Sequence, residues 1–262
     1  MKDVKQNKLK EEKILNLLNK ESEFQWELSI FDEIGSTNDY LLSNSKEDKI
    51  ALCLSESQTK GRGRNSKQWQ SPKYENIYMS LSFSTKHNLN FYSSFSLVAA
   101  ISVHMALIKH QIESEIKWPN DIYINSKKVG GILIETINKN TTNIVVVGIG
   151  LNVFMKNNLE IDREWTSLAL ENEKMTFDRN EIIPDIANEL IINKKTFEEK
   201  GFGFFKNKFN NLNFLRNKSI KLSNQENENA VALEVNDDGS LNVRMQNKIT
   251  KVVSGEVSIK IN

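Results

Sequence analysis

The spacing of apolar residues changes several times along this chain, and each change marks an element. Ile14, Leu17 and Leu18 recur at helical spacing in a stretch otherwise rich in Lys, Glu and Asn, which predicts a solvated start and a short amphipathic helix. Ser36-Thr37-Asn38-Asp39 offers several capping side chains ahead of Tyr40-Leu41-Leu42, so a loop runs into a helix there. Residues 50–56 and 77–83 read as strands. The segment between them, 57–74, is polar, carries Gly and Arg, and is too long for a tight hairpin; such loops are usually functional or disordered. Residues 95–108 are apolar on nearly all sides, which predicts a central helix covered by a sheet.

Further on, 122–124 and 129–137 flank the polar turn Asn125-Ser126-Lys127-Lys128 as a β-hairpin, and 144–153 adds a strand. Residues 178–199 look helical, with Pro184 marking either a start or a kink. From Lys218 the pattern returns to short strands at 219–222, 230–235, 241–245 and 257–261, with a polar turn over 224–229 and Asp237-Asp238-Gly239 as a hairpin turn. This predicts a β-barrel of roughly 45 residues, near the lower limit for folding alone, that leans on the main domain.

Composition narrows the function classes. A chain of 262 residues with 39% apolar and 26% charged residues and three prolines fits a globular protein of one large domain and one small one. The balance of 35 basic against 34 acidic residues supplies no overall field toward nucleic acid or an anionic membrane, so any anion site is local. Cys53, the single cysteine, lies in the apolar run Ala51-Leu52-Cys53-Leu54, reads as a small hydrophobe and excludes an intrachain disulfide. The N-terminus has no apolar signal region, and no run approaches about 18 apolar residues, so the expected location is cytoplasmic, without a membrane.

Four motifs can carry chemistry. In Gln58-Thr59-Lys60-Gly61-Arg62-Gly63-Arg64, glycines let backbone amides approach an anion while guanidinium forks bind carboxylate or phosphate at two points. The same residues also fit a solvated basic loop or one that touches RNA. Lys117-Trp118-Pro119-Asn120-Asp121 presents Lys117 near a strand end beside an indole that would hold water away. A lysine there could neutralise a reacting carboxylate or α-phosphate, worth roughly 3 to 4 kcal/mol of barrier in a dry site. The plainer reading makes Trp118 core, Pro119-Asn120-Asp121 a turn and Lys117 a surface charge. Gly130-Gly131 and Gly148-Ile149-Gly150-Leu151-Asn152 place glycines in strands, where they mark a bulge or the close approach of a ligand. Trp69 and Trp165 could stack on an adenine or lie half-buried at the surface. There is no Gly-x-x-x-x-Gly-Lys-Ser/Thr, Gly148-Ile149-Gly150 lacks a third glycine, and His104 and His110 do not share a helix face.

Taken in order and spacing, Ser36-Thr37-Asn38, Gln58 with Gly61-Arg62-Gly63-Arg64 and Trp69, Lys117-Trp118-Pro119-Asn120-Asp121, Gly130-Gly131 and Gly148-Ile149-Gly150-Leu151-Asn152 resemble the biotin protein ligase family. The likeness is dense from Phe31 to Val153 and returns at Gly255-Glu256-Val257-Ser258. It implies an α+β fold, a class II synthetase-like mixed sheet with helices, followed by a small SH3-like barrel. The expected division is 1–24 as an N-terminal segment, 25–215 as the catalytic domain and 216–262 as the C-terminal domain.

The resemblance also implies an ATP-dependent ligase that forms biotinyl-AMP, with magnesium escorting the nucleotide, and passes biotin to a lysine of a biotin carboxyl carrier protein. By position it gives Ser36, Thr37, Asn38, Gln58, Arg62, Gly63, Arg64 and Lys117 to biotin. Arg62, Arg64, Lys117, Asn152 and Trp165 fall to ATP or the adenylate, and Lys117 and Arg62 to catalysis. The sequence departs from the family after Arg64, where Asn65-Ser66-Lys67 puts Ser66 at a position that is often glycine. About 35 residues precede Ser36, too few for the repressor members' winged helix, so no operator binding is expected. The alternatives are a lipoate or octanoate ligase and, from another class, a nucleic-acid-binding module using the Gly-Arg loop.

Overall fold

Alternation along the strands builds two sheets that share one core. The computed structural model describes residues 8–18, 25–47, 49–139, 142–157, 164–222, 225–246, 248–254 and 259–261. In chain order the elements are α1 (Glu11–Leu17), β1 (Gln25–Phe31), α2 (Thr37–Asn44), β2 (Lys49–Ser55), β3 (Ile77–Thr85), α3 (Phe95–Lys109), β4 (Glu115–Lys117), β5 (Asp121–Ile124), β6 (Lys127–Lys139) and β7 (Thr142–Leu151). There follow α4 (Leu168–Glu171), α5 (Arg179–Lys200), α6 (Lys206–Leu212), β8 (Ser219–Leu222), β9 (Gln225–Val235), β10 (Leu241–Met245), β11 (Lys248–Val252) and β12 (Ile259–Ile261).

The first sheet has seven strands in the order β1-β2-β3-β7-β6-β5-β4. β1 runs parallel to β2 and the other neighbours are antiparallel. Because successive side chains point to opposite faces, the sheet has two different surfaces. Val145, Val147, Ile149 and Leu151 of β7 join the large core with α3 and α5. On the other face, Ile144 and Val146 pack with Ala51, Cys53 and Leu41 of α2, and burial raises the Cys53 thiol to about 12. Farther along that same face the residues become small: Ser80, Gly131, Gly148 and Gly150.

Ten residues of α3 are buried. The stretch Leu89–Lys109 is long and apolar enough to cross a bilayer, yet 67% of its most apolar window is buried within the protein, which makes it a core helix. α5 begins at Arg179 behind the capping side chain of Asp178 and continues through Pro184, so the proline neither starts nor ends it.

The second sheet is antiparallel, in the order β11-β10-β9-β8-β12, with no ladder joining its end strands among the described residues. Its Ile220, Leu222, Ala230, Ala232, Leu241 and Val243 lie in the same core cluster as α3, so the expected leaning on the main domain is an apolar continuity. The turn at Gly239, φ +82°, accepts a 3.0 Å hydrogen bond from Trp118 Nε1.

Some expectations shift. The polar stretch read as a turn over 224–229 is strand from Gln225 onward, and Leu17 is exposed while Ile14 and Leu18 are buried. β1 was not anticipated, although Trp26, Leu28 and Ile30 alternate with Glu27 and Ser29. β11 left no such trace, because four of its five residues face solvent. Gly255-Glu256-Val257-Ser258 lies outside the described residues.

Candidate active site

The long loop after β2 is anchored at both ends by one buried side chain. Arg179, fully buried at the start of α5, places Nη2 2.7 Å from Glu56 Oε2 and donates from Nη1 to the Asn76 carbonyl at 2.8 Å. Glu56 leads into the loop and Asn76 leaves it. Glu56 also accepts from the Leu9 amide at 2.7 Å, which ties the N-terminal segment to the same point. A buried ion pair of this kind adds little net stability, but removing one partner leaves a buried charge and costs several kcal/mol.

Within that loop the Gly-Arg motif is a small hairpin. The Trp69 amide donates to the Gly61 carbonyl at 2.9 Å, Arg62 bridges Gln68, and the Gly63 amide donates to the Lys67 carbonyl at 2.7 Å. At its tip Asn65 and Ser66 have φ of 55° and 56°, and the Lys67 amide donates to the Arg64 carbonyl at 3.2 Å. Two positive φ values mark a type I′ turn, whose second position favours glycine. Ser66 stands at that second position.

At one end of the small-residue face lies a buried polar cluster. Ser36 caps α2, and Thr37 and Asn38 enter its first turn. Gln58 Oε1 accepts from the Thr37 amide at 2.9 Å and from its hydroxyl at 3.2 Å. Ser80 Oγ donates to Thr37 Oγ1 at 2.7 Å or to Asn38 Oδ1 at 2.5 Å. Asn38 Nδ2 donates to Glu135 Oε2 at 2.7 Å and to the Leu133 carbonyl at 3.4 Å. A Cβ on Gly148 would stand 2.3 Å from Asn38 Oδ1, so only glycine lets the amide lie on the sheet there.

The next rung along β7 is covered by Trp69. A Cβ on Gly150 would meet its indole at 2.4 Å, and one on Gly131 at 3.3 Å. Trp69 Nε1 is buried without a hydrogen-bond partner among the described residues. Lys128 Nζ lies 5.4 Å from the Trp69 ring and pairs with Asp121 at 2.5 Å.

The cations are spread over this surface. Arg64 donates to Asn120 Oδ1 at 3.3 Å; its half-buried position lowers its pKa from the usual arginine value, and Asp121 opposes that shift. Lys117, across from Asp121 on β4, donates to Tyr123 Oη at 3.3 Å and lies 5.4 Å from its ring centroid. Tyr123 stacks on Phe214, centroids 4.8 Å apart, whose segment pairs with the outer edge of β4. Arg62 sits at the other end, paired with Asp39 and with Glu135 at 3.1 Å.

Of the residues singled out by sequence, Ser36, Thr37, Asn38 and Gln58 cluster, with Arg62 adjoining through Glu135. Lys117 and Arg64 meet at the Trp118-Pro119-Asn120 turn, where the Asn120 amide donates to the Lys117 carbonyl. Asn152 is buried and donates from Nδ2 to the Thr166 carbonyl at 3.0 Å, while Trp165 bridges Lys128. Asn152 thus holds the segment that presents Trp165.

Of the two readings of Trp118, the core one holds: its indole turns away from Lys117 and into the core toward Gly239, because alternation sends neighbours to opposite faces. A cavity of about 150 Å³ beside it, between Ser94 and Gly239, lies behind this surface and away from the cluster. Sequence reasoning missed Asp39, Ser80, Tyr123, Lys128 and Glu135. The readable signal for Glu135 was the two-residue period from Gly131 through Leu133, which puts all three on the glycine face.

Residues 30–152, which contain the cluster, the hairpin, Lys117 and Asn152, match the biotin/lipoate A/B protein ligase family. The chain carries a domain of that family over these residues. It is accordingly an enzyme of the ligase class. A biotin protein ligase from Aquifex aeolicus in complex with biotin and ATP superposes with a TM-score of 0.77 at 28% identity, covering 90% of this chain and 99% of that one. The bifunctional ligase/repressor BirA of Escherichia coli is 28% identical over 241 residues, 89% of this chain and 74% of its own length. A biotin--[acetyl-CoA-carboxylase] ligase of Mycobacterium tuberculosis is 31% identical over 173 residues, 63% of this chain and 62% of its own.

Proposed function

We propose that this ligase joins biotin to ATP as biotinyl-AMP and passes the biotin to a lysine of a biotin carboxyl carrier protein. One observation carries the reading: a floor of glycines with a mixed donor and acceptor cluster at one end and the cations Arg64 and Lys117 at the other. A ureido ring presents one acceptor and two donors, and Thr37, Asn38, Gln58 and Ser80 offer both kinds of partner. A lipoyl or octanoyl group brings no polar edge to match them, which favours biotin within the family.

In the first step a carboxylate oxygen attacks the α-phosphorus, the new O–P bond forms and the bond to pyrophosphate breaks. Lys117 and Arg64 neutralise charge that gathers on the carboxylate and the phosphate. Arg62, at the head-group end in the resting molecule, joins them when the hairpin moves. In the second step the carrier's lysine amine attacks the acyl carbon, an amide forms, AMP departs and the amine's proton passes to solvent. Trp165, held by way of Asn152, lies on the adenine side. Trp69 walls the site and its Nε1 offers a donor to the bound acid.

Among the described residues no group of three His, Cys, Asp or Glu side chains could hold magnesium, so the metal would come with the nucleotide, whose phosphate oxygens are ligands of the type it prefers. We further assign 1–24 to an N-terminal segment, 25–215 to the catalytic domain and 216–262 to an SH3-like domain, acting in the cytoplasm. The test is incubation with ATP, biotin and a carrier domain, read by intact mass. One biotin on the carrier lysine is expected, and modification by lipoate in place of biotin would overturn the assignment.

A further inference from the structure

Arg62 is held by two carboxylates that take no part in the bond-making steps. Its guanidinium pairs with Asp39 from the first turn of α2 and with Glu135 from β6, at 39%, 51% and 25% side-chain exposure. Glu135 simultaneously accepts from Asn38 Nδ2 at 2.7 Å. This seat lies at the polar-cluster end of the glycine floor. Gly131, Leu133 and Glu135 follow one face of β6, so Glu135 is about 13 Å along the strand from the Gly131 rung near Lys128 and Asp121.

We propose that Asp39 and Glu135 form a resting latch for Arg62, and that a ligand's own carboxylate must win the guanidinium from them. Glu135 has the additional task of positioning Asn38. The inference rests on the reading of Arg62 as a partner of the substrate carboxylate. Chemistry favours such a contest, because both resting pairs run through Nη2 alone, whereas an arginine fork can donate to a substrate carboxylate at two points. Exposure keeps each resting pair weak, so the latch is one that a substrate can open. While the site is empty, the same pairs pin the hairpin against α2 and β6.

The two carboxylates make separable predictions. Asp39→Asn removes a partner of Arg62 alone. It should tighten biotin binding by about two- to fivefold, the scale of one exposed ion pair, and leave binding of biotinol, the alcohol without a carboxylate, unchanged. Glu135→Ala releases Asn38 as well and should weaken biotinol by about tenfold or more, the scale of one hydrogen bond to a charged group, and biotin by about two- to fivefold less than biotinol, because an Arg62 partner is lost with it. Calorimetric titration of the four protein–ligand pairs reads these shifts. Tryptic cutting of the ligand-free protein within 60–67 should also be about two- to fivefold faster in Asp39→Asn.

Weaker or unchanged biotin binding in Asp39→Asn, or an equal shift for biotinol, overturns the latch. If the wild-type chain bound neither ligand, the functional reading would fall, and the tryptic comparison would still decide the latch: faster cutting supports it and equal cutting overturns it.

Discussion

Gly148→Ala is the most informative single change at the floor of the site. Gly148 carries no positive φ, so alanine is not strained by its backbone there, and any effect comes from contact. The new methyl would stand 2.3 Å from Asn38 Oδ1, 2.9 Å from Cγ and 3.0 Å from Nδ2. Asn38 has little freedom to retreat, because Ser80, Glu135 and the Leu133 carbonyl all hold it. Two of those bonds are neutral, worth about 1 kcal/mol each, and the one to Glu135 is charged, worth about 1.5 to 3 kcal/mol. Losing all three would remove about 3 to 5 kcal/mol, and partial re-bonding after rotation leaves roughly 1.5 to 3 kcal/mol.

If Asn38 holds the biotin head group, affinity should fall by about 10- to 100-fold. Isothermal titration with biotin measures this, with Gly131→Ala as a comparison, since a Cβ there meets its nearest neighbour only at 3.2 Å. Wild-type affinity in Gly148→Ala, with the protein folded, would refute the placement of biotin on this floor.

Three other substitutions probe separate links. Lys117→Ala should lower adenylation by roughly 10² to 10³ while circular dichroism and melting stay at wild type; full activity would remove Lys117 from the mechanism. Gly239→Ala combines a φ of +82° with a Cβ 2.5 Å from Ser94 Cβ, so a loss of about 2 to 4 kcal/mol in chemical denaturation is expected. Adding Ser94→Gly should recover part of it, and no recovery would mean the contact is not the cause. Ser66→Gly relieves a left-handed serine at the hairpin tip, worth up to about 1 kcal/mol, and should slow tryptic cutting of the loop; faster cutting would contradict the type I′ assignment.

Much of the framework was legible because the chain's periods are clean: the valine-rich alternation of β7 and the unbroken apolar surface of α3 each fit one burial pattern. The polar cluster was legible only through the family resemblance: the capping residues and Gln58 stand out singly, but no period in the chain brings them together. Asp39, Glu135 and Tyr123 were not. Nothing local distinguishes a surface carboxylate from one that meets an arginine 23 or 73 positions away, and only the β6–β7 register brings Glu135 beside Asn38. Trp118 shows the converse: beside Lys117 in sequence, it belongs to the opposite face of the sheet. Ser66 read as a departure from a familiar loop; only the positive φ values at Asn65 and Ser66 explain why glycine suits that place.

The central claim is that this surface makes an acyl-adenylate from biotin. Exchange of labelled pyrophosphate into ATP reports that step without any carrier protein. The account predicts exchange that requires biotin, is absent with lipoate or octanoate, and falls with Lys117→Ala. Exchange driven by lipoate and not by biotin, or none with any of these acids, would contradict it.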